Sequence, residues 1–167
     1  MSVAFNPARR QLFRGDIAAR KIPLRPPWSV NEPLFVDGCT RCDACLRACP
    51  GQIIRRDGAG FPELDFAAGE CTFCGDCADA CEEPLFRSTD APPWGLKARI
   101  SDQCVARRQV VCRSCGEQCE PQAIRFLPQL GQVAEPDIDL SACVGCGACI
   151  AVCPTQAVSL FQPDHEA

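Results

Sequence analysis

The chain has 167 residues, enough for one or two domains, and sixteen of them are cysteine. The net charge is −4, yet residues 1–25 carry six basic side chains and one acid, so the body is acidic. That excludes a general nucleic-acid binder, whose basic patch would lie on the folded domain, and no run nears the roughly 18 apolar residues of a membrane span.

Residues 1–25 read as a basic arm suited to a partner contact. Arg9-Arg10-Gln11-Leu12-Phe13-Arg14 has the look of a twin-arginine export motif, but Asp16, Arg20 and Lys21 stand where an apolar core would follow. The chain is therefore expected to stay in the cytoplasm. The simpler alternative is a short amphipathic helix with Leu12, Phe13 and Ile17 near one face.

Residues 26–90 open with Pro26-Pro27-Trp28, which reads as a rigid joint with one packed aromatic. Cys39-x2-Cys42-x2-Cys45-x3-Cys49-Pro50 follows. Leu46–Ala48 fits a short helix that Pro50 stops. Gln52–Arg55 and Phe61–Phe66 are strand-like about an Asp57-Gly58 turn. Cys71-x2-Cys74-x2-Cys77-x3-Cys81 repeats the motif with Glu82 in place of proline.

Residues 91–161 repeat the plan. Pro92-Pro93-Trp94 leads to a distorted unit, Cys104-x7-Cys112-x2-Cys115-x3-Cys119, in which Gln109 holds the slot equivalent to Cys39. Ala123–Leu127 and Glu135–Asp139 form strands about Leu130-Gly131. Cys143-x2-Cys146-x2-Cys149-x3-Cys153-Pro154 follows, with Ile150–Val152 helical, and Ala157–Phe161 makes a last strand. Residues 162–167 are a tail that holds the one histidine, His165, read as solvated.

A 4Fe–4S cube needs four thiolates. A C-x2-C-x2-C loop reaches three corners, and in two-cluster bacterial ferredoxins the fourth cysteine ligates the other cube. The offset therefore assigns Cys81 to the cube of Cys39, Cys42 and Cys45, and Cys49 to that of Cys71, Cys74 and Cys77. It assigns Cys119 to Cys143, Cys146 and Cys149, and Cys153 to Cys104, Cys112 and Cys115. Structural zinc also takes four thiolates, but its ribbons use two separated C-x2-C knuckles rather than these runs. Three clusters rest on regular motifs; the fourth rests on the distorted one. Gly75, Gly116, Gly145 and Gly147 would let backbone approach a cube.

The expected fold is α+β: two tandem two-cluster ferredoxin-like modules of short strands and helices, stabilised by their clusters. With no nucleotide fingerprint and no catalytic set, electron transfer or cluster supply is expected, not enzymatic turnover.

The chain resembles the NapF ferredoxin-type family of the periplasmic nitrate reductase system. The resemblance is carried by Arg9-Arg10, Leu12-Phe13, Gly15, Arg25-Pro26-Pro27-Trp28, the Cys39–Cys45 loop, the distorted third unit and the Cys143–Pro154 unit. It implies a cytoplasmic accessory protein that acts on the precursor of the catalytic molybdenum subunit before export, in maturation or cluster loading. The rival expectation is an electron-transfer subunit of a larger oxidoreductase.

Overall fold

The computed structural model of the chain describes residues 23–163. The arm motif around Arg9-Arg10 and the tail with His165 lie outside them. Twelve short elements are present among the described residues: α1 (Glu32–Gly38), α2 (Ala44–Ala48), β1 (Ile54–Arg56), β2 (Pro62–Leu64), α3 (Asp76–Asp79), β3 (Lys97–Ile100), a 3-10 turn (Ala106–Arg108), α4 (Ser114–Glu117), β4 (Ile124–Gln129), β5 (Gln132–Ile138), α5 (Ala148–Ala151) and β6 (Val158–Phe161).

The strands form three two-stranded antiparallel ladders, β1–β2, β3–β6 and β4–β5. Ile54 faces Leu64, Ile124 faces Ile138 and Ile100 faces Val158, each pair turning its apolar side inward. The β1–β2 turn is closed by the Asp57 carboxylate, which accepts from the N–H groups of Ala59 and Phe61 at 2.8 and 3.0 Å.

The two halves share one plan. In each, an inner hairpin lies beside a pairing of the segment entering the half with the segment leaving it. In residues 91–161 that outer pairing is the full β3–β6 ladder. In residues 26–90 it shrinks to a bridge between Ser29 and Phe86, flanked by bonds from Val30 N to Leu85 O and from Arg87 N to Trp28 O.

Three features differ from the sequence expectation. Helix α1 was not foreseen; Asn31 caps it by accepting from Leu34 N, and Phe35 anchors it in the core. Strand β3 was not foreseen either. The short helices start earlier than expected, taking in the third cysteine of each motif, and they occur after all four loops rather than two.

Residues 24 and 25, grouped with the arm by sequence, pack in the body. The Leu24 carbonyl accepts from Leu64 N at 2.7 Å. Trp28 is buried and ties the halves together: its backbone N–H donates to Pro93 O and its indole N–H to Ala91 O at 2.7 Å.

Candidate metal centre

The three regular motif loops bend by the same device, which the distorted loop lacks. The second and fourth residues after the first cysteine take left-handed backbone angles: Arg41 and Asp43, Phe73 and Gly75, Gly145 and Gly147. A short helix then begins, carrying the third cysteine near its start and leaving the fourth beyond its end. Since a helical turn separates those two, they serve different places. Gln52, Gln122 and Gln156 stand three residues after a fourth cysteine, each at a positive φ, with its N–H donated back to that cysteine's carbonyl.

The result is four hollows, each bordered by four cysteines. Cys39, Cys42, Cys45 and Cys81 border the first. Cys49, Cys71, Cys74 and Cys77 border the second. Cys119, Cys143, Cys146 and Cys149 border the third. Cys104, Cys112, Cys115 and Cys153 border the fourth. These are the sets that the motif offset leads one to expect, and none of the sixteen cysteines is left over or disulfide-bonded.

The fourth hollow explains the distorted motif. Cys104 arrives from a turn after β3, its N–H donating to Ser101 O. The residues inserted before Cys112 fold into the 3-10 turn. Ala106 is fully buried there, and Gln109 accepts from Val133 N on β5. Cys104 thus reaches the place that a residue at position 109 would otherwise supply. Gly116 does not act as expected: it lies inside α4, and a Cβ there would stand 2.8 Å from the Phe126 ring. Its role is clearance for Phe126.

Among the described residues, no three His, Cys, Asp or Glu side chains converge closely enough for a single metal ion. The cysteines stand around open spaces instead. Zinc bound by four thiolates draws them to about 2.3 Å from one point. A cube spreads them to its corners, and four cysteines lining each open space suit that arrangement. The remaining walls are mainly apolar, such as Phe35 and Leu85 in the first hollow and Ile53 and Leu64 in the second.

Burial pushes the Cys45, Cys71 and Cys115 thiols up to about 11 and those of Cys77 and Cys149 up to about 12, and neighbouring cysteines add to the rise. Burial also raises Cys81 and Cys146. Bare thiolates are thus costly in these hollows, and a cationic iron centre would offset that cost. Two sulfurs run the other way. The Ala44 N–H and the Thr40 hydroxyl lower exposed Cys42. At Cys153 burial opposes the shift, but N–H groups including that of Ala157, 3.2 Å from the sulfur, outweigh it. Ala98 N–H likewise donates to the Cys143 sulfur at 3.4 Å. Such bonds orient a ligand and tune what it holds.

Comparison with known proteins agrees with this chemistry. Residues 38–83 and 110–157 match the 4Fe-4S dicluster domain family. The chain is 42% identical over 152 residues to the ferredoxin-type protein NapF of Escherichia coli (strain K12), covering 91% of this chain and 93% of that one. It is 43% identical over 165 residues to NapF of Haemophilus influenzae, covering 93% and 94%. It is 29% identical over 156 residues to the ferredoxin-type protein NapG of Escherichia coli (strain K12), covering 81% and 68%. No helix among the described residues is long and apolar enough to cross a membrane.

Proposed function

Because the chain belongs to the NapF ferredoxin-type family of 4Fe–4S proteins, we propose that it is a cytoplasmic accessory protein carrying one 4Fe–4S cluster in each of its four hollows. It assists maturation of the catalytic molybdenum subunit of periplasmic nitrate reductase before export, by supplying electrons or clusters. The sorting of sixteen cysteines into four sets of four around four hollows carries this reading. Residues 26–90 and 91–161 would be two two-cluster modules, each with its fourth cysteines exchanged between loops.

The test is capture from anaerobic cytoplasm. Tagged protein with about sixteen irons and sixteen sulfides, at 4Fe–4S stoichiometry, should retain the unexported catalytic precursor. Zinc in place of iron would overturn the cofactor. Iron-replete protein that captures membrane-bound redox subunits and never the precursor would favour the electron-transfer-subunit reading.

A further inference from the structure

We infer that the four sites form a single electron-conducting line, which crosses from one half of the protein to the other where the Cys71 N–H donates to the Cys146 carbonyl. This rests on the reading of the four hollows as cluster sites, and it favours delivery of electrons over surrender of clusters.

Within each half the two hollows are already joined. Helix α2 gives Cys45 to the first hollow and leads into Cys49 of the second; α3 gives Cys77 to the second and leads into Cys81 of the first. Cys45, Cys49, Cys71 and Cys77 pack on one apolar group that includes Ile53, Leu64 and Phe66. The second half repeats this with α4 and α5, where Cys115 and Cys153 of the fourth hollow share a core with Cys119, Cys143 and Cys149 of the third. The order is then first, second, third, fourth, provided that the second and third meet.

They meet directly. Cys71 borders the second hollow and Cys146 the third, and their backbones are hydrogen-bonded at 2.9 Å. The loops around them are clamped by aromatic side chains. Trp94 packs edge-on to Phe73, within the Cys71–Cys74 loop, at 5.4 Å between centroids, and to Phe66 at 6.4 Å. Its indole N–H donates to Val144 O in the Cys143–Cys146 loop.

Gly147 is required by this approach, and Gly145 by packing inside its own half, rather than by the backbone angle. Arg41 and Asp43 take the same left-handed conformation in the first loop with side chains in place. At Gly147, however, a Cβ would stand 2.0 Å from the Phe66 ring; at Gly145 it would stand 2.4 Å from Leu96 O and 2.9 Å from the Trp94 indole nitrogen. A side chain at Gly147 would force the halves apart, whereas one at Gly145 would clash within residues 91–161.

Each passage moves one electron from one site to the next, so one site is oxidised as its neighbour is reduced, and no bond forms or breaks. A low-potential one-electron reductant outside the protein supplies the electron, and an oxidised one-electron centre on the partner takes it. Tunnelling decays steeply with distance, so the tightness of the Cys71–Cys146 junction governs passage between the halves.

The test uses the full-length holoprotein, reduced with dithionite, and reads electron paramagnetic resonance beside iron content. Gly147→Ala opens the junction through the Phe66 clash. Trp94→Leu opens it by removing the indole bond to Val144 O and both ring contacts without substituting any cysteine or loop residue, so it decides the matter if Gly147→Ala loses iron. The expected result is spin–spin broadening in the unsubstituted protein that is partly lost in the variants at unchanged iron, together with slower spread of a limiting dose of electrons across all sites. Spectra and kinetics unaltered by either substitution, at full iron, would overturn the line. Iron near three clusters' worth in the unsubstituted protein would instead overturn the four-site reading beneath it.

Discussion

The Arg25 guanidinium holds the Glu32 carboxylate by two hydrogen bonds, Nε to Oε2 at 2.8 Å and Nη2 to Oε1 at 2.6 Å. The same guanidinium reaches Asp57 at 2.9 Å and the Pro62 carbonyl at 2.8 Å, and it lies over the rings of Phe35 and Phe61. Its side chain is only 8% exposed, so removing it strands a nearly buried carboxylate at Asp57 and a half-exposed one at Glu32. Arg25→Ala should therefore cost roughly 2–3 kcal/mol, less than a fully buried pair because Glu32 keeps some solvent. Thermal unfolding of the holoprotein checks this, and Arg25→Lys should recover only part, since an ammonium cannot grip both oxygens in one plane.

Cys81 lines the hollow of Cys39, Cys42 and Cys45 rather than that of its own motif. Cys81→Ser should perturb the resonance and lower the iron of that site while the site at Cys71, Cys74 and Cys77 stays intact. The reverse outcome, with the Cys71 site failing first, would refute exchange of the fourth cysteines.

Much of this was legible because cysteine spacing is a local signal: the C-x2-C-x2-C loop and the helical turn after it set which sulfur reaches which hollow. Strands β1, β2, β4 and β5 were legible within a few residues, since turn signals at Asp57-Gly58 and Leu130-Gly131 sit between apolar runs, and β6 was legible from the run Ala157–Phe161. Strand β3 was not. Lys97 and Arg99 alternate with Ala98 and Ile100, a weak pattern, and the partner β6 lies about sixty residues on with no turn to announce the pairing. The contact between the halves was hidden for a like reason. Pro-Pro-Trp reads locally as a joint, and only the fold shows Trp28 bonded to Ala91 and Pro93.

The displaced cysteine invites a direct check. Cys104 is buried beside Cys115 and Cys153, and it stands in for the missing cysteine of the third loop. Cys104→Ser should lower iron by about four atoms per chain, one cluster's worth, with little effect at the other three sites. Moving the ligand back, by Gln109→Cys in the Cys104→Ser background, should not restore it, because Gln109 faces Val133 on β5 and not the hollow. Iron analysis and visible absorbance decide both.

Loading should depend on pH with a definite sign. The buried thiols of Cys45, Cys71 and Cys115 lie near 11 and those of Cys77 and Cys149 near 12, so the folded, iron-free chain holds these protons more tightly than the unfolded chain does. Their contribution to iron-free stability is full below the ordinary thiol value and is lost as pH rises toward 11 to 12. Iron ligation must strip the same protons. Anaerobic reconstitution should then gain in yield from pH 7 to pH 9 and release protons into a weakly buffered solution, whereas iron-free protein should lose structure above that range. A yield that falls over pH 7 to 9 would count against thiolate ligation at these residues.

The arm supplies the most direct test of the proposed role. Arg9, Arg10, Arg14, Arg20 and Lys21 oppose a single acid, Asp16, and residues 1–22 hold no cysteine. The cut belongs after residue 22, because Leu24 bonds to Leu64 and Arg25 is the clamp described above. Deleting residues 1–22 should leave iron content, absorbance and thermal stability close to those of the full chain. Capture of the nitrate reductase catalytic precursor should weaken. In the full chain that capture should also weaken as salt rises, since exposed charges are screened beyond about 8 Å at physiological ionic strength. Replacing the five basic residues by glutamine, with Leu12, Phe13 and Ile17 kept, separates charge from apolar contact: it should remove the salt dependence and leave a residual, salt-insensitive affinity. Truncated, iron-replete protein that binds the precursor as well as the full chain would move recognition onto the cluster-bearing halves and support the plain electron-carrier reading.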